Sequence, residues 1–121
     1  DWGQSTTISL LEAQPLMKQM DIVASGGIKN PMQMLKALAL GAKSVAMSGE
    51  FLHSVIHDGV DDTVKLVDTW REQLKLMMLM LDVTDLDALT HTDLIITGQP
   101  AEWSAIRQIN IDHFASRSRD Y

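Results

Sequence analysis

Between residues 21 and 49 the sequence DIVASGGIKNPMQMLKALALGAKSVAMSG alternates apolar runs with glycine breaks, and few folds accommodate that order. DIVAS at 21–25 is a short β-type run that stops at Gly26-Gly27. Asn30-Pro31 is a strong helix start, with Asn as N-cap and Pro at the first helical position. Residues 32–40 continue as helix, and Gly41 supplies the stop. KSVAM at 43–47 is a second short, mostly apolar strand, closed by Ser48-Gly49. A strand–helix–strand crossover of this length implies parallel strands with a right-handed connection. Mostly apolar strands suit a sheet buried on both faces. The fold class is therefore α/β.

The flanks read as helix. Residues 8–20 place Ile8, Leu11, Leu16 and Met20 roughly on one face, with Pro15 dividing the stretch. Residues 50–57 form a short helix and Gly59 ends it. A long amphipathic helix spans 60–81, with Val64, Val67, Trp70, Leu74, Met77, Met78 and Leu81 near one side. A helical turn at 85–89 is capped by Thr84, LIIT at 94–97 is a strand or an extended connector, and 100–108 is a last helix. The polar tail 116–121 is expected to fray. No repeat or linker divides the chain, so 1–121 is one domain.

In a parallel α/β array, the ends of both strands lie on one edge. Glycine permits positive φ and close approach of backbone to a ligand. Loop N–H groups and a following helix N-terminus make an anion site without net positive charge. In (β/α)8 barrels the loops after the last two strands, with a short extra helix, commonly bind phosphate. The segments 25–29 and 47–49, followed by the helix at 50–57, match that arrangement. The bland alternative is a pair of tight strand-to-helix turns. His53 and His57 stand four apart, a possible metal spacing, yet a plain helix face is the simpler reading. Asp82, Asp85 and Asp87 suit helix capping, and no nucleophile motif is present.

Charge and composition narrow the classes further. A formal net charge of -6 opposes a general nucleic-acid or basic membrane-surface role. The chain contains no cysteine, hence no disulfide framework and no thiolate metal site. No apolar run is long enough to span a bilayer, and no signal peptide is visible. The first residue is Asp1 rather than Met, which fits a chain that begins inside a longer protein.

The segment 24–52, ASGGIKNPMQMLKALALGAKSVAMSGEFL, closely resembles the seventh-to-eighth-strand region of the type 2 isopentenyl-diphosphate isomerases. DWGQST at the start is similar to that family's Trp-Gly-x-x-Thr segment, and LMLDVTDLDAL and LIITG look like its C-terminal part. The resemblance implies a C-terminal fragment of an FMN-binding (β/α)8 TIM barrel: the last two strands, their helices and a helical tail, an incomplete barrel and a single partial domain. It implies that Thr6 contacts FMN. It also implies that Gly26, Gly27, Ile28 and Lys29, with Ser48 and Gly49, enclose the FMN phosphate, largely through backbone N–H groups. Two departures stand out: Gln4-Ser5 replaces the family's Ile-Pro, and Lys29 replaces a frequent Arg.

The implied reaction interconverts isopentenyl and dimethylallyl diphosphates, with FMN, NADPH and Mg2+ as the intact enzyme's cofactors. An isoprenoid diphosphate is the implied substrate, and the expected setting is cytoplasmic. The family's metal-binding and substrate-anchoring residues lie in earlier strands, so no catalytic or metal residue is assigned here and this fragment alone is expected to be inactive. A barrel needs roughly 250 residues. A piece of one exposes sheet edges and apolar faces. It is expected either to form a homo-oligomer or to repack as a mainly helical unit with a small parallel sheet. Two other readings stay open. One is a non-enzymatic helical interaction module using the 60–81 helix. The other is a different FMN barrel, such as a hydroxy-acid oxidase, which the absence of His before residue 53 disfavours.

Overall fold

A computed structural model describes residues 3–120. The strand–helix–strand unit is present and its strands are parallel. Strand β1 (Val23–Ser25) pairs with β2 (Ser44–Ala46) in the register Val23–Ser44, Ala24–Val45, Ser25–Ala46. Helix α2 (Pro31–Ala39) connects them, and its burial of Leu35, Ala37 and Ala39 holds it to the sheet and to the helical layer beyond. The sheet is two-stranded. It does not have both faces buried: Ala24 is covered, while Val23 is 56% exposed on the opposite face. Apolar strand composition marks what a strand can bury, but a neighbour must be present to bury it.

Helix α1 (Thr6–Ala13) starts earlier than its apolar pattern suggests, because Ser5 is its N-cap and accepts a hydrogen bond from the Ile8 N–H at 3.3 Å. One residue that departs from the family pattern thus has a local role. Pro15 does divide the stretch: a 3-10 turn, Gln14–Leu16, follows α1. Beyond the sheet come α3 (Gly49–His57), the long α4 (Val60–Met80), the short α5 (Leu86–Leu89) and α6 (Gln99–Arg107).

The main core joins Leu10, Leu11, Ala24, Ile28, Leu40 and Phe114, from segments spread over the whole chain. A second cluster seats Leu35 and Ala39 of α2 on Leu89, with Leu74, Met77 and Met78 of α4 packed against it. The long helix is only half covered. Val67, Trp70, Leu74, Met77 and Met78 are partly buried, whereas Val64 and Leu81 of the expected stripe are exposed.

Two further expectations need correction, on the cap of α5 and on the tail, while residues 94–97 take one of their two expected forms. Thr84 does not cap α5; Asp85 does, accepting from the Ala88 N–H at 2.8 Å. The Asp85 carboxylate accepts from the third residue after it and also complements the helix dipole. Residues 94–97 are an extended connector, whose Leu94 N–H donates to Phe114 O at 2.7 Å. The tail is docked and not frayed through Asp120. It forms 3-10 turns, Asp112–Asp120, kinked at Ser116 and pinned by Phe114, which is 1% exposed. Ser118 bonds to Asp93 through its N–H at 2.8 Å and its hydroxyl at 3.0 Å. Tyr121, like Asp1 and Trp2, lies outside the described residues.

Candidate functional site

Parallel pairing sends both strands out at the same edge, so 26–29 and 47–49 emerge side by side. They line one cleft of about 230 Å³, together with Ser25, Ala46 and Glu50. Gly26, Gly27, Ile28, Lys29, Ser48 and Gly49 are all on its wall. Thr6 is not. It lines an adjoining hollow of about 430 Å³, which shares Ser25, Gly26, Gly27 and Ile28 with the first.

The glycine pair shapes the loop. Gly26 has φ +106° and Gly27 φ +67°, both in the left-handed region. Ile28, almost fully buried, anchors the loop in the core. Thr6 Oγ1 donates to this loop, with Ser25 O at 3.1 Å and Gly26 O at 2.5 Å as alternative acceptors for its one proton. Thr6 therefore braces the loop through its proton and keeps only its lone pairs for anything else.

Gly49 is different. Its φ is not left-handed, and a Cβ there would meet nothing within 4 Å. The same open space surrounds the Cβ position of Gly27. Neither backbone strain nor a protein neighbour demands glycine at 49. The cleft has room against its wall that a side chain would fill.

The two helices that start at this edge are capped differently. Asn30 accepts from the Gln33 N–H at 3.0 Å, and Gln33 Oε1 accepts from the Lys29 N–H at 2.7 Å. This arrangement occupies the Gln33 N–H in the first turn of α2 and the Lys29 N–H before it, leaving Lys29 only its exposed ammonium to offer a ligand. At α3, Ser48 makes no side-chain cap bond. The first-turn N–H groups of any helix lack intrahelical acceptors. Those of α3, beginning at Gly49, therefore present donors and the positive end of the helix dipole at the cleft. Glu50 in that first turn complements the dipole when no anion is bound.

The groups with displaced pKa values lie elsewhere. Hydrogen bonds from Arg107 and then Trp103 hold Glu12 below the ordinary carboxylate value. The Ser118 backbone N–H does the same for Asp93. Burial lowers the Arg117 pKa, opposed by Asp93. The cleft wall carries backbone donors, hydroxyls, the Lys29 ammonium and the Glu50 carboxylate. The rings of His53 and His57 lie 4.3 Å apart between centroids, tilted by 40°, on an exposed face of α3. Among the described residues no group of three or more His, Cys, Asp or Glu is arranged to hold a metal ion, and no helix is long and apolar enough to cross a membrane.

Sequence reasoning missed Gln33. Its signal was present as the Asn30-x-x-Gln33 spacing of a capping box. It also gave no sign that Ser48 would leave α3 uncapped, since serine is a favoured N-cap.

The sequence matches known proteins. A family model described as FMN-dependent dehydrogenase matches residues 1–96. A Listeria welshimeri protein named isopentenyl-diphosphate delta-isomerase is 40% identical over 118 residues, covering 97% of this chain and 33% of that protein. A protein of the same name from Staphylococcus aureus strain JH9 is 39% identical over 110 residues, covering 91% of this chain and 32% of its own length. The chain thus spans about a third of the curated relatives it matches.

Proposed function

The chain belongs to the FMN-dependent dehydrogenase family, and on that premise we propose that it is the flavin-phosphate-binding part of an isomerase that interconverts isopentenyl and dimethylallyl diphosphates. The observation that carries the proposal is the uncapped start of α3, which shares one cleft with the Gly26-Gly27 loop. Open N–H donors at a helix start favour a phosphate group. Glycine at 49, which the fold itself does not require, leaves room for a ligand to approach the backbone. The relatives' shared name supports the isomerase reading over other members of the broad family.

In this reading Gly26, Gly27 and Ile28 border the FMN phosphate on one side, and Ser48, Gly49 and the first turn of α3 on the other. Lys29 contributes its ammonium, since its backbone N–H is bonded to Gln33. Thr6 holds the loop's carbonyls and offers its lone pairs toward the flavin side. When bound and reduced, FMN supplies acid–base chemistry for moving the double bond. NADPH and Mg2+ belong to the intact enzyme, as does the isoprenoid diphosphate substrate, and the setting is cytoplasmic. The residues here bind and orient; the groups that anchor substrate and metal belong to earlier barrel strands in the resembling family. The 121-residue chain by itself therefore binds without turnover. As part of a (β/α)8 barrel, β1 and β2 would be neighbouring strands and the open face at Val23 would meet the rest of the barrel.

Leu52 and Ile56 of α3 and Val60 and Val64 of α4 are exposed apolar side chains, which supports self-association. Size-exclusion chromatography with light scattering tests this, and a clean 13.5 kDa species would contradict it. The rival interaction-module reading draws on the exposed Val60, Val64, Leu79 and Met80 of α4. A flavin titration separates the two. FMN binding that inorganic phosphate reverses supports the isomerase reading; absence of any flavin binding supports the module.

A further inference from the structure

The docked tail grips the far end of the helix that carries the glycine loop. Helix α2 has nine residues and is about 13 Å long at 1.5 Å per residue. The last carbonyls of a helix have no intrahelical donors. At this helix two side chains from distant segments supply them. Gln14 Nε2 donates to Leu40 O at 2.7 Å, and Arg117 Nη1 donates to Ala39 O at 2.9 Å. The same guanidinium donates through Nε and Nη2 to Thr92 O, the Nε bond being 3.1 Å. It lies over the Phe114 ring, 5.0 Å from the centroid.

One planar fork thus joins the tail, the segment after α5 and the carboxyl end of α2. At the other end of α2, Asn30 and Gln33 fix the Lys29 backbone. The helix between them is held by Leu35, Ala37 and Ala39, all buried. A helix restrained at one end and packed along its length presents its other end in one place.

We propose that Arg117 is a positioning residue for the 26–29 loop: by fixing the carboxyl end of α2, it sets where Gln33 holds Lys29 and the glycine pair. The link to ligand binding rests on the proposed function above; the link to loop position does not. Lysine at 117 keeps the charge but loses the fork that bridges Ala39 and Thr92.

The test compares the chain with R117K and R117A by amide hydrogen exchange and by FMN titration. In R117K the Lys29 amide should exchange roughly tenfold faster while the Leu66 amide in α4 is unchanged. FMN affinity should fall by a similar factor, and R117A should show both effects more strongly. Unchanged Lys29 exchange in R117K overturns the proposal. So does a variant in which every amide speeds up together, because Arg117 would then hold the whole fold and not one loop. If the parent chain binds no FMN, the proposed function fails, while Lys29 exchange still decides the positioning role.

Discussion

Helices α2 and α3 invite direct comparison. Each has nine residues, each follows a strand of the same small sheet, and each begins at the same edge. Yet α2 buries Pro31, Leu35, Ala37 and Ala39, and its start is closed by Asn30 and Gln33. Helix α3 buries only Ser54, and its start has no side-chain cap. The first is built to be held by its own fold. The second has donors and apolar surface that its own fold leaves uncovered. Two helices that start at one α/β edge thus differ: the start of one is closed by its own side chains, and that of its neighbour is left open.

The sharpest way to break this contrast is in the apolar residues. Leu35→Ala should cost about 2–5 kcal/mol in chemical denaturation, because it leaves a cavity between α2 and Leu89. Leu52→Ala on α3, a residue 61% exposed, should stay within about 0.5 kcal/mol. Equal costs would mean that α3 is as well buried as α2.

Smaller effects should separate the two helix starts. Asn30→Ala should cost about 1 kcal/mol of stability, since the Gln33 N–H loses its acceptor. Ser48→Ala should leave stability nearly unchanged, as no cap bond is lost, but should weaken FMN binding measured by flavin fluorescence. Gly49→Val should likewise fold and lose FMN affinity, the added side chain occupying the cleft. If the Asn30 and Ser48 variants lose stability equally, the difference in capping does not hold in solution.

The smallest effect concerns acid. Hydrogen bonds from Arg107 and Trp103 lower the Glu12 pKa from its ordinary 4.5 and tie α1 to α6. A depressed carboxylate contributes stability above its unfolded pKa and loses it as pH falls through the folded value. Glu12→Gln should therefore be less stable than the parent at neutral pH and converge with it as pH falls below 4.5, which narrows the stability difference between neutral and acid pH. An unchanged acid limb in denaturant melts would contradict this.

The legibility of the chain follows the range of the signals. Residues 21–49 were readable because Gly26-Gly27, Asn30-Pro31 and Gly41 act on their immediate neighbours. Pro15 was readable as a break for the same reason. The docked tail was not, because Arg117 and Ala39 are 78 residues apart and nothing in SRSRD announces a half-buried guanidinium that bridges two distant carbonyls. The 60–81 stripe was read correctly as amphipathic, but periodicity cannot say how much of a face finds a partner: Val64 and Leu81 do not. The cleft's walls were readable from the paired glycine loops; which backbone donors remain open was not, because that depends on Gln33 turning back to Lys29.

The most direct test of an anion cleft at the start of α3 is an amide chemical-shift titration of the chain with FMN and, separately, with riboflavin, which lacks the phosphate. The expected result is a shift of the Gly27, Gly49 and Glu50 amides with FMN that riboflavin does not reproduce. Equal shifts with both, or none at these residues, would contradict it.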